Sequence, residues 1–510
     1  MRALSSILLS MSIHKIATST LWQLGSQAVT MVLGILSVKF TVLALSTSLV
    51  GNYQTVYAYL QIFGILADFG LYAVSVRELS HAKDRALTFS TLFLLRACIT
   101  VLSLALALAL AFLLPAFRGT PLPLGILIAS LVPFFTLLGG MFRSYFQVTY
   151  QMRSVFIAEI TSKVVPVFLM GTALFLGLRH EESVILYLLF LSFGGIGGIL
   201  FFGLCIWFTR GLPEVYLGLS DLYHPPLWAE FRRILCLAAP FGFAFLATTI
   251  YRQSDVTLIA MFRPDYDIQN AYYGTALRIA EIGFLIPTFL LNSVLPILSE
   301  KKDDSERALF LGRILIILLT LASIASLYSF FWARPLMHLL TDESYLSTAL
   351  LPGADTALQL LSFSMFLSAI ISFCFYLLLL RHSWKLLLTF TSIAAAFSVV
   401  MNSILIPKFG FVGAGMTSIA VHILLAISLS ALTMYKVAVY LPFARFARWF
   451  TFSLTMGLLL YFSARFVPES TFGIFASLSL AVLLLIPLLH VFSLIPASIL
   501  PFKAHLKDID

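Results

Sequence analysis

The stretch that decides the fold is RRILCLAAPFGFAFLATTIYRQSDVTLIAMFRPDYDIQNAYYGTALRIAEIGFLIPTFLLNSVLPILSE, residues 232–300. Its two apolar runs are each long enough to cross a bilayer, and a short polar turn joins them. Inside the runs lie opposite-charge pairs spaced i, i+3, Arg252 with Asp255 and Arg278 with Glu281, so both members of a pair share one helix face. Ionised groups in hydrocarbon cost at least about 2.5 kcal/mol each, so these pairs should face a bundle interior or a watery cavity. Such placement is expected of a membrane protein with a transport role rather than of a membrane anchor.

The composition indicates a membrane protein with many spans. Of the 510 residues 60% are apolar and 11% are charged, and the mean hydropathy is +1.00, a balance outside the range of soluble domains. The four cysteines lie in apolar runs without metal or redox spacing, and we interpret them as packing residues. The connections between runs are at most about twenty residues long, too short for a soluble catalytic domain. The predicted fold class is therefore an all-α polytopic membrane protein.

Fourteen apolar runs have the length of a transmembrane helix, roughly 17–30 residues for a hydrocarbon core of about 30 Å. The predicted spans are 16–45, 53–76, 86–114, 122–149, 155–177, 183–208, 234–261, 270–298, 308–332, 355–380, 386–406, 410–435, 449–464 and 471–495.

The distribution of basic residues predicts the orientation. If the N-terminus is cytoplasmic, the inner loops contain twenty of the 32 Lys and Arg residues, the outer loops seven, and the spans five. The positive-inside rule then predicts a multi-pass protein of the cell (inner or plasma) membrane with both termini in the cytoplasm. The net charge of +9 follows from these loops, so no nucleic-acid partner is expected.

A weak internal repeat indicates two related halves. Residues 51–80 can be laid on residues 270–299 at an offset of 219, which places Tyr53 on Tyr272. The offset corresponds to six spans, and an even number of spans makes the halves parallel, about an axis along the membrane normal. Chance similarity between aromatic-rich helices is the alternative. The repeat predicts an N-terminal lobe of six helices at 1–210, a cytoplasmic linker at 211–233, a C-terminal lobe of six helices at 234–440, and two further helices with a cytoplasmic tail at 441–510.

Charges inside the spans indicate a binding cavity for an anion. Glu159 and Lys163, spaced i, i+4, form a third expected pair, which leaves Arg96 and Arg143 over and gives a net positive cavity if all of them face inward. Such a cavity attracts anions, and the planar guanidinium matches phosphate. The alternative is that the pairs only join helices and that Arg143 extends to the interface. The predicted cavity bases are Arg96, Arg143, Lys163, Arg252 and Arg278, with Glu159, Asp255 and Glu281 as charge partners or gate residues.

Polar side chains recur at helical spacing on the first two spans. Tyrosine and amide groups suit sugars, because each tyrosine has an apolar ring and a polar tip. A hydrogen-bonded seam between helices, with Tyr53 in the interfacial aromatic belt, is the alternative. Asp68 is a candidate proton or sodium site, although a packing or capping role is favoured. The predicted polar lining consists of Gln23, Gln27, Tyr53, Tyr57, Gln61 and Asp68.

The sequence contains no recognisable catalytic constellation. The nine histidines form no ligand-spaced pair, and neither an acidic dyad at a membrane face nor a phosphate-binding glycine loop is present. The chain is therefore predicted not to be an enzyme and to need no metal or other cofactor. Coupling to H⁺ or Na⁺ remains an open alternative.

Four stretches of sequence together carry a family resemblance. The first, 49–80, has Gly-x-Tyr at the start of the second span and ends in ADFGLYAVSVRELS. The others are QVTYQMRSVFIAEITSK at 147–163, the hairpin 240–299 with its PILS ending, and IPKFGFVGAGMTSIA at 406–420, while HLLTDESY at 338–345 is a looser match. In this order they resemble the Wzx-like polysaccharide or oligosaccharide flippases of the MOP (multidrug/oligosaccharidyl-lipid/polysaccharide) transporter superfamily.

The resemblance implies two pseudo-symmetric six-helix lobes around a cationic cavity that operates by alternating access. The implied cargo is an undecaprenyl-pyrophosphate-linked oligosaccharide, moved from the inner to the outer leaflet, and the implied partners are membrane lipids and the glycan polymerase and glycosyltransferase machinery. A MurJ-like flippase for lipid-linked peptidoglycan precursor and a MATE-like cation-coupled drug exporter are the alternatives within the superfamily. A membrane-embedded glycan polymerase or ligase is the alternative of a different class, although such enzymes generally need a sizeable outer loop.

Overall fold

The computed structural model describes residues 2–210, 227–300, 304–381, 383–440 and 443–466, with a few positions between 473 and 492. In this part of the chain α-helix dominates and no β-strand occurs apart from one isolated bridge, Leu45 to Glu181. The helices are α1 Arg2–Ala44, α2 Thr47–Asp68, α3 Leu71–His81, α4 Arg85–Leu113, α5 Leu122–Ala129, α6 Leu131–Val148, α7 Met152–Phe175, α8 Val184–Thr209, α9 Leu227–Phe262, α10 Tyr266–Glu300, α11 Asp304–Phe331, α12 Ala333–Leu340, α13 Ala354–Leu380, α14 Trp384–Phe409, α15 Phe411–Lys436 and α16 Phe443–Ser463.

Twelve spans among the described residues are long and apolar enough to cross a membrane. They coincide with the first twelve predicted spans, and the prediction of an all-α polytopic membrane protein is confirmed. Two of them are interrupted, since α2 with α3 and α5 with α6 each make one span. The helix α16 lies where the thirteenth span was predicted, and most of the fourteenth, 471–495, falls outside the described residues.

The chain divides into two compact units, Met1–Ala271 and Tyr272–Asp510. The first unit contains α1 to α9 and the first turn of α10, because α9 packs along α2 and α3. The lobes predicted at 1–210 and 234–440 follow the repeat rather than these contacts, and they stay a prediction.

Several helix ends follow from local sequence signals. The carboxylate of Asp84 caps α4 by accepting a hydrogen bond from the backbone N–H of Leu87 at 3.1 Å, and a cap of this kind contributes about 1 kcal/mol. Ser183 caps α8 in the same way. Gly410 separates α14 from α15 at φ 59°, a left-handed conformation that favours glycine.

Aromatic packing holds the helices of the first unit that carry the buried charges. The ring centroids of Phe89 on α4 and Phe142 on α6 are 5.3 Å apart, and those of Phe142 and Phe202 on α8 are 5.9 Å apart. Each such pair contributes about 0.5–1.5 kcal/mol beyond the burial of its area. Because Arg96 follows Phe89 by two turns on α4 and Arg143 adjoins Phe142, this cluster positions both arginines.

The second unit is built around α13. Helices α11, α12, α14 and α15 all pack against it. Two tryptophans connect α16 to the α11–α12 region: Trp449 Nε1 donates to Ser323 Oγ at 3.1 Å, and Trp332 Nε1 donates to Ser463 Oγ at 3.2 Å. Buried indoles need such partners, so these bonds fix the register of α16.

Candidate functional site

The second span is broken between α2 and α3, directly beside a buried ion pair. Phe69 and Gly70 between α2 and α3 both adopt positive φ, 40° and 75°. The carboxylate of Asp68, the last residue of α2, accepts a short hydrogen bond from Arg96 Nη2, and Arg96 is only 2% exposed. Gly140 on α6 permits this arrangement, since a Cβ there would lie 3.3 Å from Arg96 Nη2. Interrupted helices of this kind are tolerated where they are buried in protein or line a cavity, and they often mark a transporter's binding site.

A second ion pair lies nearer the end of the same bundle. Arg143 Nη1 on α6 is 3.0 Å from Glu159 Oε1 on α7, and Ser26 Oγ on α1 donates to Glu159 Oε2. The prediction that Arg143 is left over is therefore wrong. Glu159 pairs with Arg143 across two helices. Lys163 is exposed on α7, and its predicted pairing with Glu159 stays a prediction.

Tyr72 connects the two ion pairs. Its hydroxyl donates to Gln147 Oε1 at 2.5 Å, and its ring centroid lies 6.0 Å from Arg143 Cζ. It lies near both ion pairs, Arg96–Asp68 and Arg143–Glu159. We call these residues the buried charge cluster: Asp68, Tyr72, Arg96, Arg143, Gln147 and Glu159.

Both arginines of the cluster have a carboxylate partner, but some of their N–H groups have no hydrogen-bond acceptor in the described part of the chain. Asp68 and Glu159 pair with Arg96 and Arg143, so these two arginines are not left over, and the net positive cavity stays a prediction. However, Arg96 Nε, Arg96 Nη1 and Arg143 Nε are buried without a hydrogen-bond partner among the described residues. Since a buried unsatisfied donor costs about 1–3 kcal/mol, these nitrogens favour an additional acceptor.

The other two predicted charge pairs lie on α9 and α10. Arg278 Nη1 is 3.1 Å from Glu281 Oε2 on α10, which confirms that pair, and both side chains are about 28% exposed. Asp255 is buried and Arg252 is half-buried on α9. Their mutual pairing stays a prediction.

The predicted polar lining is spread over two helices. On α1 both Gln23 and Gln27 are half-buried. On α2 Tyr53 is buried, Tyr57 and Gln61 are half-buried, and the rings of the two tyrosines lie 4.8 Å apart. A sugar-binding role for these residues stays a prediction.

At its N-terminal end, α2 is joined to the start of α10 by hydrogen bonds between side chains. Ser48 Oγ donates to Asp267 Oδ2 at 2.5 Å, and Tyr266 OH donates to Asn52 Oδ1 at 2.8 Å. Asn270 Nδ2 donates to Thr55 Oγ1 at 2.8 Å. We call these six residues the polar seam: Ser48, Asn52, Thr55, Tyr266, Asp267 and Asn270.

The turn that leads into the seam is held by its own ion pair. Arg263 Nε is 2.8 Å from Asp265 Oδ1, and Gln269 Nε2 donates to Asp265 Oδ2 at 3.0 Å. Hydrogen bonds from Arg263 and Gln269 hold the pKa of Asp265 below its ordinary value despite some burial. The same pair raises the pKa of Arg263. Asp265 is therefore ionised and bound to Arg263 and Gln269 within the turn. The carboxylate that takes part in the seam is that of Asp267.

Close backbone contact at Gly51 makes the seam sensitive to a small change. A Cβ at Gly51 would lie 1.6 Å from the backbone oxygen of Asp267, so Gly51→Val must push α2 and α10 apart. We expect a loss of roughly 1–3 kcal/mol of stability, as for overpacked cores, measured as a lower unfolding temperature of the purified protein. Gly203→Val is the control, because nothing lies within 4 Å of its Cβ position. Equal unfolding temperatures for the two variants would contradict the contact.

The α2–α3 span also contacts α9 below the seam. A Cβ on Gly242 would lie 2.7 Å from the ring of Phe69, so the helix break packs directly on this glycine. At the end of α3, Arg233 Nη2 is 2.5 Å from Glu78 Oε2. Pro240 lies inside α9 next to the break. The break between α2 and α3 therefore lies close to the proline of α9, and both helices can bend at this place.

Sequence reasoning missed Tyr72, Gln147 and the whole polar seam. Two residues of the seam, Tyr266 and Asp267, lie in a short connection that was interpreted only as a turn. One usable signal was present: Ser48 and Asp267 are separated by the repeat offset of 219, three residues before the aligned stretches begin. The described residues contain no group of three or more His, Cys, Asp or Glu side chains that could hold a metal ion.

Comparison with known proteins identifies the family. The fold is similar to that of lipid II flippase MurJ in an inward closed conformation, with a TM-score of 0.68 and 13% identity over 93% of this chain and 98% of that one. It is also similar to a multidrug resistance MATE family transporter of the MOP superfamily in an inward-facing conformation (TM-score 0.58, 10% identity, 80% and 96% coverage) and to the eukaryotic MATE transporter AtDTX14 (0.54, 12%, 82% and 96%). No curated protein matches. The family model described as polysaccharide biosynthesis protein matches residues 16–302, more than half of the sequence, and the chain therefore belongs to this family.

Proposed function

We propose that the protein flips an undecaprenyl-pyrophosphate-linked oligosaccharide, such as a repeat unit of O-antigen, capsule or exopolysaccharide, from the inner to the outer leaflet by alternating access. The family supports this cargo class. The single observation that carries the proposal is the set of buried guanidinium nitrogens without a partner in the charge cluster.

The proposed binding step is an exchange of acceptors. A pyrophosphate offers several charged oxygens to Arg96 and Arg143, and guanidinium–phosphate pairs are often bidentate. Asp68 and Glu159 hold the same arginines when cargo is absent. Without these carboxylates two buried cations would repel each other, so the exchange keeps the cluster near neutrality in both states.

Access to Arg96 requires movement, since the side chain is 2% exposed. We assign this movement to the Phe69–Gly70 break, where α3 can swing relative to α2. Tyr72 lies on the first turn of α3, so the same swing would separate it from Gln147. The cluster would then open toward the end of the bundle that carries most loop bases.

We assign roles along the same path to the other predicted charges and polar side chains. Lys163, Arg252 and Arg278 are further bases along the path, and Asp255 and Glu281 are their competing acceptors. Tyrosine and amide groups on α1 and α2 contact the sugars. The polar seam closes the opposite end of the path in the described conformation.

One experiment separates this proposal from its alternatives. The purified protein is placed in vesicles with a fluorescent lipid-linked oligosaccharide, a fluorescent lipid-linked peptidoglycan precursor or a cationic dye, and transfer is followed with an impermeant quencher. We expect transfer of the first cargo. Transfer of the peptidoglycan precursor alone would favour a MurJ-like flippase, dye export a MATE-like transporter, and glycan chain growth a polymerase or ligase.

We propose that both termini are cytoplasmic in the inner or plasma membrane. The loop bases support this orientation through the positive-inside rule. Reporter fusions after residues 120, 265 and 345 should lie on the outer side, and fusions after 220 and 303 on the inner side. Two or more reversed reporters would overturn the orientation.

A further inference from the structure

The second unit contains a cavity that the proposed transport path does not use. It has a volume of about 640 Å³, a size typical of sites for small ligands. Its wall comes from α11, α13, α15 and the chain segment 437–440 that follows α15. Most of the lining is apolar, with a small polar patch where Cys374 Sγ and Ser430 Oγ lie 3.6 Å apart.

The cavity runs lengthwise along the helices. On α11 its lining extends from Ser305, in the first turn, to Leu315, a distance of about 15 Å along the axis. On α13 it reaches Ile370, ten residues before the helix ends at Leu380. An elongated apolar ligand would therefore lie parallel to the helices and to the lipid chains.

Basic residues adjoin the lining where α11 begins and α15 ends. Lys436 directly precedes the lining residue Val437, and its Nζ donates to Ser383 Oγ at 2.9 Å. Arg307 directly precedes the lining residue Ala308, whose backbone oxygen accepts from Tyr440 N at 3.1 Å. Among the side chains described at this end of the unit, Glu306 is the acid. The bases are Arg307, Arg381, Lys385, Lys436, Arg445 and Arg448.

We propose that this cavity binds one acyl chain of an anionic membrane phospholipid, with its phosphate at Arg307 and Lys436. The apolar wall fits a hydrocarbon chain, and its direction matches that of a lipid in the leaflet on this side. A phosphate next to Ala308 and Val437 has one guanidinium and one ammonium group as neighbours in the chain, Arg307 and Lys436, and Glu306 is the acid among the side chains described at this end. The lipid is distinct from the cargo, since the cavity lies in the second unit and the buried charge cluster in the first.

The test uses phospholipids with a photoreactive group in one acyl chain. The full-length protein in nanodiscs receives either the phosphatidylglycerol or the phosphatidylcholine analogue, and labelled peptides are identified after irradiation. We expect the phosphatidylglycerol analogue to label peptides that contain residues 370–374 and 430–440. The double variant Arg307→Gln/Lys436→Gln should weaken this labelling roughly 25-fold, about fivefold per base.

Two further variants make the result decisive. Arg153→Gln/Arg232→Gln removes the same charge from exposed positions of the first unit and should leave the labelling unchanged. Ser430→Phe should fill the cavity and abolish labelling by both analogues. If that protein does not fold, the Arg307→Gln/Lys436→Gln variant still tests the proposal. Three results would each overturn the proposal: equal labelling by the two lipids, no labelling of these peptides, or unchanged labelling in the Arg307→Gln/Lys436→Gln variant.

Discussion

Replacing Arg96 by methionine and Asp68 by asparagine in the same protein is expected to abolish cargo transfer while the protein remains folded. The double variant removes both charges of a buried pair, so neither is left uncompensated. It also removes the guanidinium that we propose for the pyrophosphate. Hydrogen bonds to charged groups contribute roughly 1.5–3 kcal/mol each, so the loss of two should lower transfer about 100-fold or more.

The single variants separate a structural role from a binding role. Arg96→Met leaves the half-buried carboxylate of Asp68 unpaired and should lower stability by up to about 3 kcal/mol. Adding Asp68→Asn to the Arg96→Met protein should bring the unfolding temperature back toward that of the original protein. If the pair only joins helices, transfer recovers with the stability. If Arg96 binds phosphate, stability recovers and transfer does not.

A matched control exists in the loop before α10. Arg263 and Asp265 form an ion pair of the same two residue types, outside the membrane-spanning helices. The variant Arg263→Met/Asp265→Asn should keep most of its transfer activity, because exposed pairs contribute at most about 1 kcal/mol. Full transfer by the Arg96→Met/Asp68→Asn protein would contradict the proposed role of the cluster. Loss of transfer in both double variants would make the effect unspecific.

The spans could be predicted from the sequence because hydropathy and length are local properties. A bilayer sets the same minimum length for every helix, so fourteen runs were found and the first twelve are confirmed. The family could be recognised because its motifs occur in order along the chain. Both conclusions needed no knowledge of which helices are neighbours.

The partners of buried charges could not be predicted in the same way. The pair Arg278–Glu281 was found because both residues share one helix face. Arg96 finds its partner on α2 and Arg143 finds its partner on α7, so both pairs depend on packing between helices. A rule based on spacing within one helix counted these two arginines as left over.

The helix break at Phe69 was also beyond sequence reasoning. The apolar run continues through it without proline, and phenylalanine rarely adopts positive φ. The conformation is held by tertiary contact, since Gly242 on α9 lies against the Phe69 ring. Propensity therefore predicted one continuous helix where packing selects two.

A cross-link across the polar seam is expected to stop transport reversibly. The variant Ser48→Cys/Asp267→Cys, made in a protein with its four native cysteines replaced by alanine, places two thiols where side chains now meet at 2.5 Å. The shortest bifunctional thiol reagent should join them and hold α2 against the start of α10. If the seam must separate to release cargo, transfer should fall to background and return after reduction.

Three controls give this experiment its meaning. Each single cysteine variant, treated with the same reagent, should keep its activity. A cross-link between Ser37→Cys and Met170→Cys joins α1 to α7, whose side chains meet at 3.4 Å, and tests whether any link between helices is inhibitory. Ser48 and Asp267 are separated by the offset of the predicted repeat. Undiminished transfer with the seam joined would show that the path opens elsewhere, and the charge cluster would then need another exit.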